Sequence, residues 1–253
     1  MEKNDRGGKT STDLIYGRHP VVEALENGRT FEKVLLSSGL HGEFEKRVRW
    51  LCKEVNVPLQ IVPKERLNAI TKKNHQGILA FVSPIPFYEL EDILPMIYEK
   101  GESPLIVLVD GVTDVRNIGA IARSAEAAGA HVLVLPKKGS AQINEEAMKT
   151  SAGALNIIPV CRVNSLMHAV DFLQMNGIQV IAADLTGEKM IYNLDLTGPL
   201  AVVMGDEHKG VNRMLLEKVD HPFKIPMRGE TDSFNVSVAT GIILYEVMRQ
   251  QLQ

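Results

Sequence analysis

The feature that most constrains this chain is a set of short segments that are apolar at nearly every position. Residues 105–110 read LIVLVD, residues 132–135 read VLVL, and residues 200–204 read LAVVM. A strand with one wet face alternates apolar with polar residues, so strands without that alternation must be covered on both faces. Helical spacing separates them: 117–128, 165–175 and the closing segment 236–252 read as helices, with a short helix at 144–150. Further strands are expected at 156–161 and 179–183. Strands alternating with helices make a parallel sheet with helices on both faces, an α/β fold.

The first third is different. Residues 13–82 read as a smaller α/β domain, with strands at 34–37, 58–62 and 78–82 and helices at 20–26, 41–55 and 64–71. Phe44, Val48, Leu51, Cys52 and Val55 fall at helical spacing on one face of 41–55. The loop Lys72-Lys73-Asn74-His75-Gln76-Gly77 is polar and cationic. It reads either as a solvated turn or as an edge that meets RNA. Residues 1–12 lack the apolar surface to offset ordering and are expected to form a mobile tail. Ser83-Pro84-Ile85-Pro86 stiffens the chain. A linker is therefore expected over 83–103, carrying a short helix near 90–98, with the second domain over 104–253.

Composition excludes several classes. Of 253 residues, 45% are hydrophobic and 23% charged, ordinary globular values. No apolar run approaches the ~18 residues of a membrane span, and the polar first residues do not resemble a secretory leader. The two cysteines, Cys52 and Cys161, are far apart and outside any CxxC pair. This points to a reducing compartment, the cytoplasm by default, and away from disulfides or a zinc site. The net charge is −3. Residues 1–103 carry 15 Lys+Arg and 15 Asp+Glu, and the remainder 13 and 16. Any nucleic-acid partner must therefore be held by a local basic patch, because the whole molecule supplies no attractive field.

The commonest α/β chemistries lack their motifs. After 105–110 comes Gly111-Val112-Thr113-Asp114, without G-x-G-x-x-G, and Gly205 to Gly210 is followed by Val211-Asn212 rather than Lys-Ser/Thr. Neither H-E-x-x-H nor G-x-S-x-G occurs. Three polar clusters instead interrupt the apolar domain: residues 114–123, 204–210 and 225–239. Each lies near the end of an expected strand, where parallel α/β sheets place ligand sites. In the first, Asn117 suits a helix N-cap, Gly119 permits close backbone approach, and Arg123 stands alone among small apolar residues, as a structural ion pair or a functional charge. The second reads as a charged surface turn or a binding loop. In the third, Ser233 and Asn235 are equally candidates for helix caps and for a site.

Taken together the clusters resemble the three motifs of the SpoU (TrmH-type) branch of the SPOUT methyltransferases. Asn117 to Arg123 matches N-x-G-x-x-x-R, Gly205 to Gly210 matches G-x-E-x-x-G, and the run from Ile225 to Ala239 matches the long third motif. Tyr16-Gly17-Arg18-His19-Pro20-Val21 and His75-Gln76-Gly77 resemble the family's RNA-binding substrate domain. The layout is most similar to the bacterial RlmB type, which methylates a guanosine ribose 2′-oxygen in large-subunit (23S) ribosomal RNA. The sequence departs from the pattern at Asp206, His208 and Phe234.

The resemblance implies a C-terminal SPOUT domain with a deep trefoil knot, a homodimer with the final helix in its interface, and S-adenosyl-L-methionine as cofactor. Carried over, the cofactor contacts fall on Gly205, Ile225 and Phe234, with Leu185 and Met227 nearby. Arg123 is implied as the residue assisting loss of the ribose hydroxyl proton, with Asn117, Glu207, Ser233 and Asn235 holding the reacting groups in register. Methyl transfer needs alignment and proton removal, and no metal. Two other readings stand beside this one: a transfer-RNA ribose methyltransferase, and a non-catalytic RNA-binding or assembly factor on the same fold.

Overall fold

The structure, a computed structural model, describes residues 14–206, 209–230 and 233–252. The expected tail at 1–12 lies outside them. The chain forms two compact units that part between Pro84 and Ile85.

The smaller unit runs β1 (Leu14–Tyr16), α1 (Arg18–Glu26), β2 (Phe31–Ser37), α2 (Glu43–Glu54), β3 (Leu59–Val62), α3 (Lys64–Ile70) and β4 (Ile78–Val82). Its sheet has the order β1-β4-β2-β3, with only β2 and β3 parallel. Alternation along β2 divides the core. Val34 and Leu36 face Val21, Leu25, Val48 and Leu51 of α1 and α2, while Leu35 faces Leu67 of α3. The sequence reading lacks β1, whose three residues are too few to show a period. Pairing with β4, Leu14 opposite Phe81 and Tyr16 opposite Leu79, makes it a strand.

The larger unit continues with α4 (Leu90–Glu99), β5 (Leu105–Val109), α5 (Val115–Ala127), β6 (Val132–Pro136), α6 (Glu145–Thr150), β7 (Val160–Val163), α7 (Leu166–Met175), β8 (Gln179–Ala183), β9 (Lys189–Met190), β10 (Leu200–Met204), α8 (Arg213–Leu216), β11 (His221–Lys224) and α9 (Val236–Gln251). All seven strands are parallel, in the order β7-β6-β5-β10-β8-β11-β9. The apolar strands serve two cores, as their composition demands. Val107, Leu133 and Val202 meet α5 and α9 on one face; Ile106, Val132 and Val203 meet α4 and α7 on the other. Within the 83–103 passage, Leu90, Ile93, Leu94 and Ile97 of α4 are buried in this second core.

Two local expectations are corrected. The strand expected at 156–161 begins only at Val160, because residues 154–156 form a 3-10 turn that leaves Ile157 68% exposed. Pairing with β6 starts at Pro159, whose carbonyl accepts from Leu133 N at 3.0 Å. The short strands β9 and β11 were also absent from the sequence reading; β11 reads HPFK and buries only Phe223 fully. Among the described residues no helix is long and apolar enough to cross a membrane.

Candidate active site

The carboxyl ends of β8, β10 and β11 open into one cleft of about 440 Å³ in the larger unit. β8 delivers Leu185, β10 delivers Gly205, and β11 delivers Ile225 and Met227; Ser233 and Phe234 close it from the segment leading into α9. All five residues expected to contact a cofactor therefore line a single cleft. Its wall is largely apolar, and it keeps apolar surface in the open: Leu185 is 61% and Phe234 38% exposed.

Gly205 has a definite reason to lack a side chain. A Cβ there would run into the backbone of Gly210 and Val211. The two stretches are held together because Asp206 and Gly210 exchange both backbone hydrogen bonds, at 3.1 and 2.9 Å. The Asp206 carboxylate also accepts from Lys209 N at 3.0 Å. The family departure at Asp206 thus closes the turn over β10. Glu207 and His208 lie outside the described residues.

The other half of the constellation sits where α5 meets α9. Asn117 is not the N-cap of α5: Asp114 is, its Oδ1 accepting from Arg116 N at 2.8 Å. An aspartate three residues earlier satisfies one of the free helix N–H groups and leaves Asn117 within the first turn rather than at its cap. Asn235 does cap α9, its Oδ1 accepting from Ser237 N at 3.0 Å and from Ser237 Oγ at 2.6 Å. Its remaining Nδ2 donates to Asn117 Oδ1 at 3.2 Å. The first and third motifs, 118 positions apart in the chain, are thereby tied side chain to side chain.

Arg123 is exposed and makes no hydrogen bond or ion pair with any described residue. It does not line the cleft. It follows Asn117 by six positions, so at 3.6 residues per turn the two side chains stand about 120° apart round the helix. Sequence reasoning missed one wall. Asp184 and Thr186 line the cleft beside Leu185, and Asp184 Oδ1 accepts from Thr186 N and Oγ1 at 2.8 and 2.6 Å. The signal was present: Asp184-Leu185-Thr186-Gly187 is a fourth polar cluster directly after an apolar strand.

Comparison with known proteins gives the arrangement its place. Residues 104–245 match the SpoU rRNA methylase family, and residues 14–88 match the family described as RNA 2′-O ribose methyltransferase substrate binding. This chain belongs to the SpoU rRNA methylase family. It is 34% identical over 94% of its length to a TrmH family tRNA/rRNA methyltransferase of Bacillus subtilis, covering 96% of that protein. Among solved structures it is similar to a SpoU methyltransferase of Streptomyces viridochromogenes in complex with the cofactor AdoMet, at TM-score 0.61 and 28% identity over 94% of this chain and 90% of that one. A TrmH/SpoU tRNA modifying enzyme of A. aeolicus is 34% identical with TM-score 0.54, over 64% of this chain and 84% of that one. In this SpoU chain the matched methylase segment holds the cleft and the Asn117–Asn235 contact, and the matched substrate-binding segment holds the four-stranded sheet.

Proposed function

We propose that this protein transfers a methyl group from S-adenosyl-L-methionine to a ribose 2′-hydroxyl in RNA, with a guanosine of 23S ribosomal RNA as the target. The observation that carries the reading is the single cleft into which Leu185, Gly205, Ile225, Met227 and Phe234 converge. The cleft suits the cofactor chemically. Ile225 and Phe234 offer apolar faces for an adenine, Gly205 lets a ligand approach the backbone, and Asp184 places a carboxylate beside them for a hydroxyl or an ammonium. When bound, the cofactor supplies an activated methyl on a sulfonium.

The chain's own part is positioning and charge. Arg123 is a poor base, since a guanidinium stays protonated in proteins. Exposed and without an ion pair to any described residue, it is suited to gripping an RNA phosphate bidentately and stabilising charge that develops on the ribose oxygen. Asn117 and Asn235, bonded to each other, hold the first and third motifs in register; Ser233 at the cleft and Glu207 complete the set. Residues 13–82 carry the RNA specificity, which favours ribosomal over transfer RNA because simpler transfer-RNA members of the family often lack such a unit. The reading includes a cytoplasmic location and a trefoil knot in the larger unit.

It also includes a homodimer through α9. Ile243 and Val247 of this helix are fully buried, yet Val238 is 51% and Tyr245 65% exposed. A helix apolar on two faces needs a second partner. Light scattering is expected to report twice the 27.9 kDa chain mass at low protein concentration, and a stable active monomer removes this part of the reading.

Calorimetry with S-adenosylmethionine, joined to mapping of ribose methylation in RNA from cells with and without the gene, tests the function. Cofactor binding and loss of one 2′-O-methylguanosine in 23S RNA are expected. Loss confined to transfer RNA would select the alternative substrate, and absence of cofactor binding would select the non-catalytic factor.

A further inference from the structure

We infer that a basic pocket in the smaller unit seats one unstacked RNA nucleotide, with its phosphate on Arg18, Lys64 and Lys73. The pocket, about 560 Å³, lies between the start of α1, the start of α3 and the loop before β4. Its size falls within the range of sites that enclose a small ligand, roughly 300–1,000 Å³. The inference rests on the proposed RNA substrate and names where that RNA is held.

Charge singles this place out. Among the described residues no carboxylate lines the pocket, and Arg18, Lys64 and Lys73 are all exposed. None of the three makes an ion pair with a described residue. The cations of α2 behave differently: Lys46 pairs with Glu43, Arg47 with Glu26 and Arg49 with Glu45. A chain with net charge −3 that leaves three cations unpaired around one cavity has made the local basic patch that its overall charge requires for RNA.

The pocket floor is built rather than loose. Buried His75 accepts from Gly77 N at its Nδ1, at 3.0 Å, so its proton sits on Nε2 and is given to Asn68 Oδ1 at 2.8 Å. Gln76 holds a left-handed backbone conformation, φ +52°, uncommon for a side-chain-bearing residue. It is kept there by Arg18, whose N donates to Gln76 Oε1 at 2.9 Å and whose Nε donates to Gln76 O at 3.4 Å. Arg18 is fixed further by lying 4.9 Å from the centre of the Phe44 ring, and Lys73 by lying 5.3 Å from that of Tyr16. Two of the three cations are thus preorganised, so less freedom is lost when they meet a phosphate. Ser37, Asn68 and Asn74 in the wall offer hydroxyl and amide groups to a base edge or a 2′-hydroxyl, as recognition of single-stranded RNA requires.

The test uses the full chain, a short fluorescein-labelled single-stranded RNA of mixed sequence, and the same RNA as a duplex. Arg18→Gln, Lys64→Gln and Lys73→Gln together are expected to weaken single-strand binding by about tenfold or more and to flatten the log-affinity against log-salt slope by about 0.7, the value for one single-strand phosphate. Lys46→Gln, whose charge Glu43 already offsets, is the control and is expected to change neither. Arg18→Gln gives up the Nε bond to Gln76 O and the Phe44 contact, so the triple variant is expected to melt slightly lower, whereas Lys64→Gln alone is expected to leave the melt unaltered and still to weaken binding. Unchanged affinity and slope in the triple variant, a preference for the duplex, or equal binding of poly-glutamate would each overturn the inference. Calorimetry with S-adenosylmethionine on the same variants keeps the two readings apart. Intact cofactor binding with unaltered RNA binding removes the pocket alone, while absent cofactor binding in the unsubstituted chain removes the methyltransferase reading alone.

Discussion

The Asn117–Asn235 contact allows stability and activity to be separated at one residue. Asn235→Ala removes the cap of α9, which is worth about 1 kcal/mol, and an exposed side-chain hydrogen bond worth roughly 0.5–1 kcal/mol. Ser237 Oγ, which also loses its acceptor, is exposed enough to turn to water. The sum, about 1.5–2 kcal/mol, lowers the melting temperature of a unit of this size by about 3–8 °C. Asn235→Asp differs. Aspartate caps as well as asparagine, and its charge at a helix N-terminus adds about 0.3–1 kcal/mol, which offsets the lost bond. Stability should therefore hold, but a carboxylate cannot donate to Asn117 Oδ1. To keep the contact Asn117 must turn its amide over and present reversed groups to the site. Circular dichroism melts and single-turnover methyl transfer check the pair. Full activity in Asn235→Asp, or an unshifted melt in Asn235→Ala, would refute the reasoning.

Three further expectations follow from the same geometry. Arg123→Ala should keep the fold and cofactor binding while lowering the methyl-transfer rate by ~10²–10³, the usual cost of one preorganised charge contact; near-normal turnover in a folded variant counts against its role. Gly205→Ala should force the Asp206–Gly210 bridge apart, with overpacking costing about 1–3 kcal/mol and cofactor binding lost, which melting and calorimetry report together. Burial pushes the thiols of Cys52 and Cys161 up to about 12, in Cys161 with help from Glu89, Glu91 and Asp92, so at pH 8 both stay protonated. A thiol reagent should label neither in the native protein and both in denaturant.

How much of this was legible in the sequence depended on length and periodicity. The unbroken apolar strands at 105–110 and 200–204 dictated a sheet covered on both faces, and the two cores follow residue by residue. The segments that escaped, β1, β9 and β11, are two to four residues long, and tertiary pairing rather than their own pattern makes them strands. The helix near 90–98 was readable from its spacing, but its burial in the larger unit was not, because periodicity gives a face without saying what covers it. At the site, Ile225 and Phe234 were readable through the long third motif and Gly205 through the short second one. That Asp114 and not Asn117 caps α5 was not, since both residue types cap equally well and only the backbone turn decides between them.

The position of β10 has a consequence for the order in which the molecule can be made. Leu200 pairs with Leu105, so once β5 has left the ribosome its edge on the β10 side has no neighbour for ~95 residues. At about 5–20 residues per second that edge stays bare for about 5–20 s. β8 waits too, since both its neighbours, β10 and β11, are synthesised after it. The two half-sheets are joined only when the middle strand arrives. An apolar strand with unsatisfied N–H and C=O groups is a template for pairing with another chain, so crowded polysomes are where this protein is most exposed to aggregation.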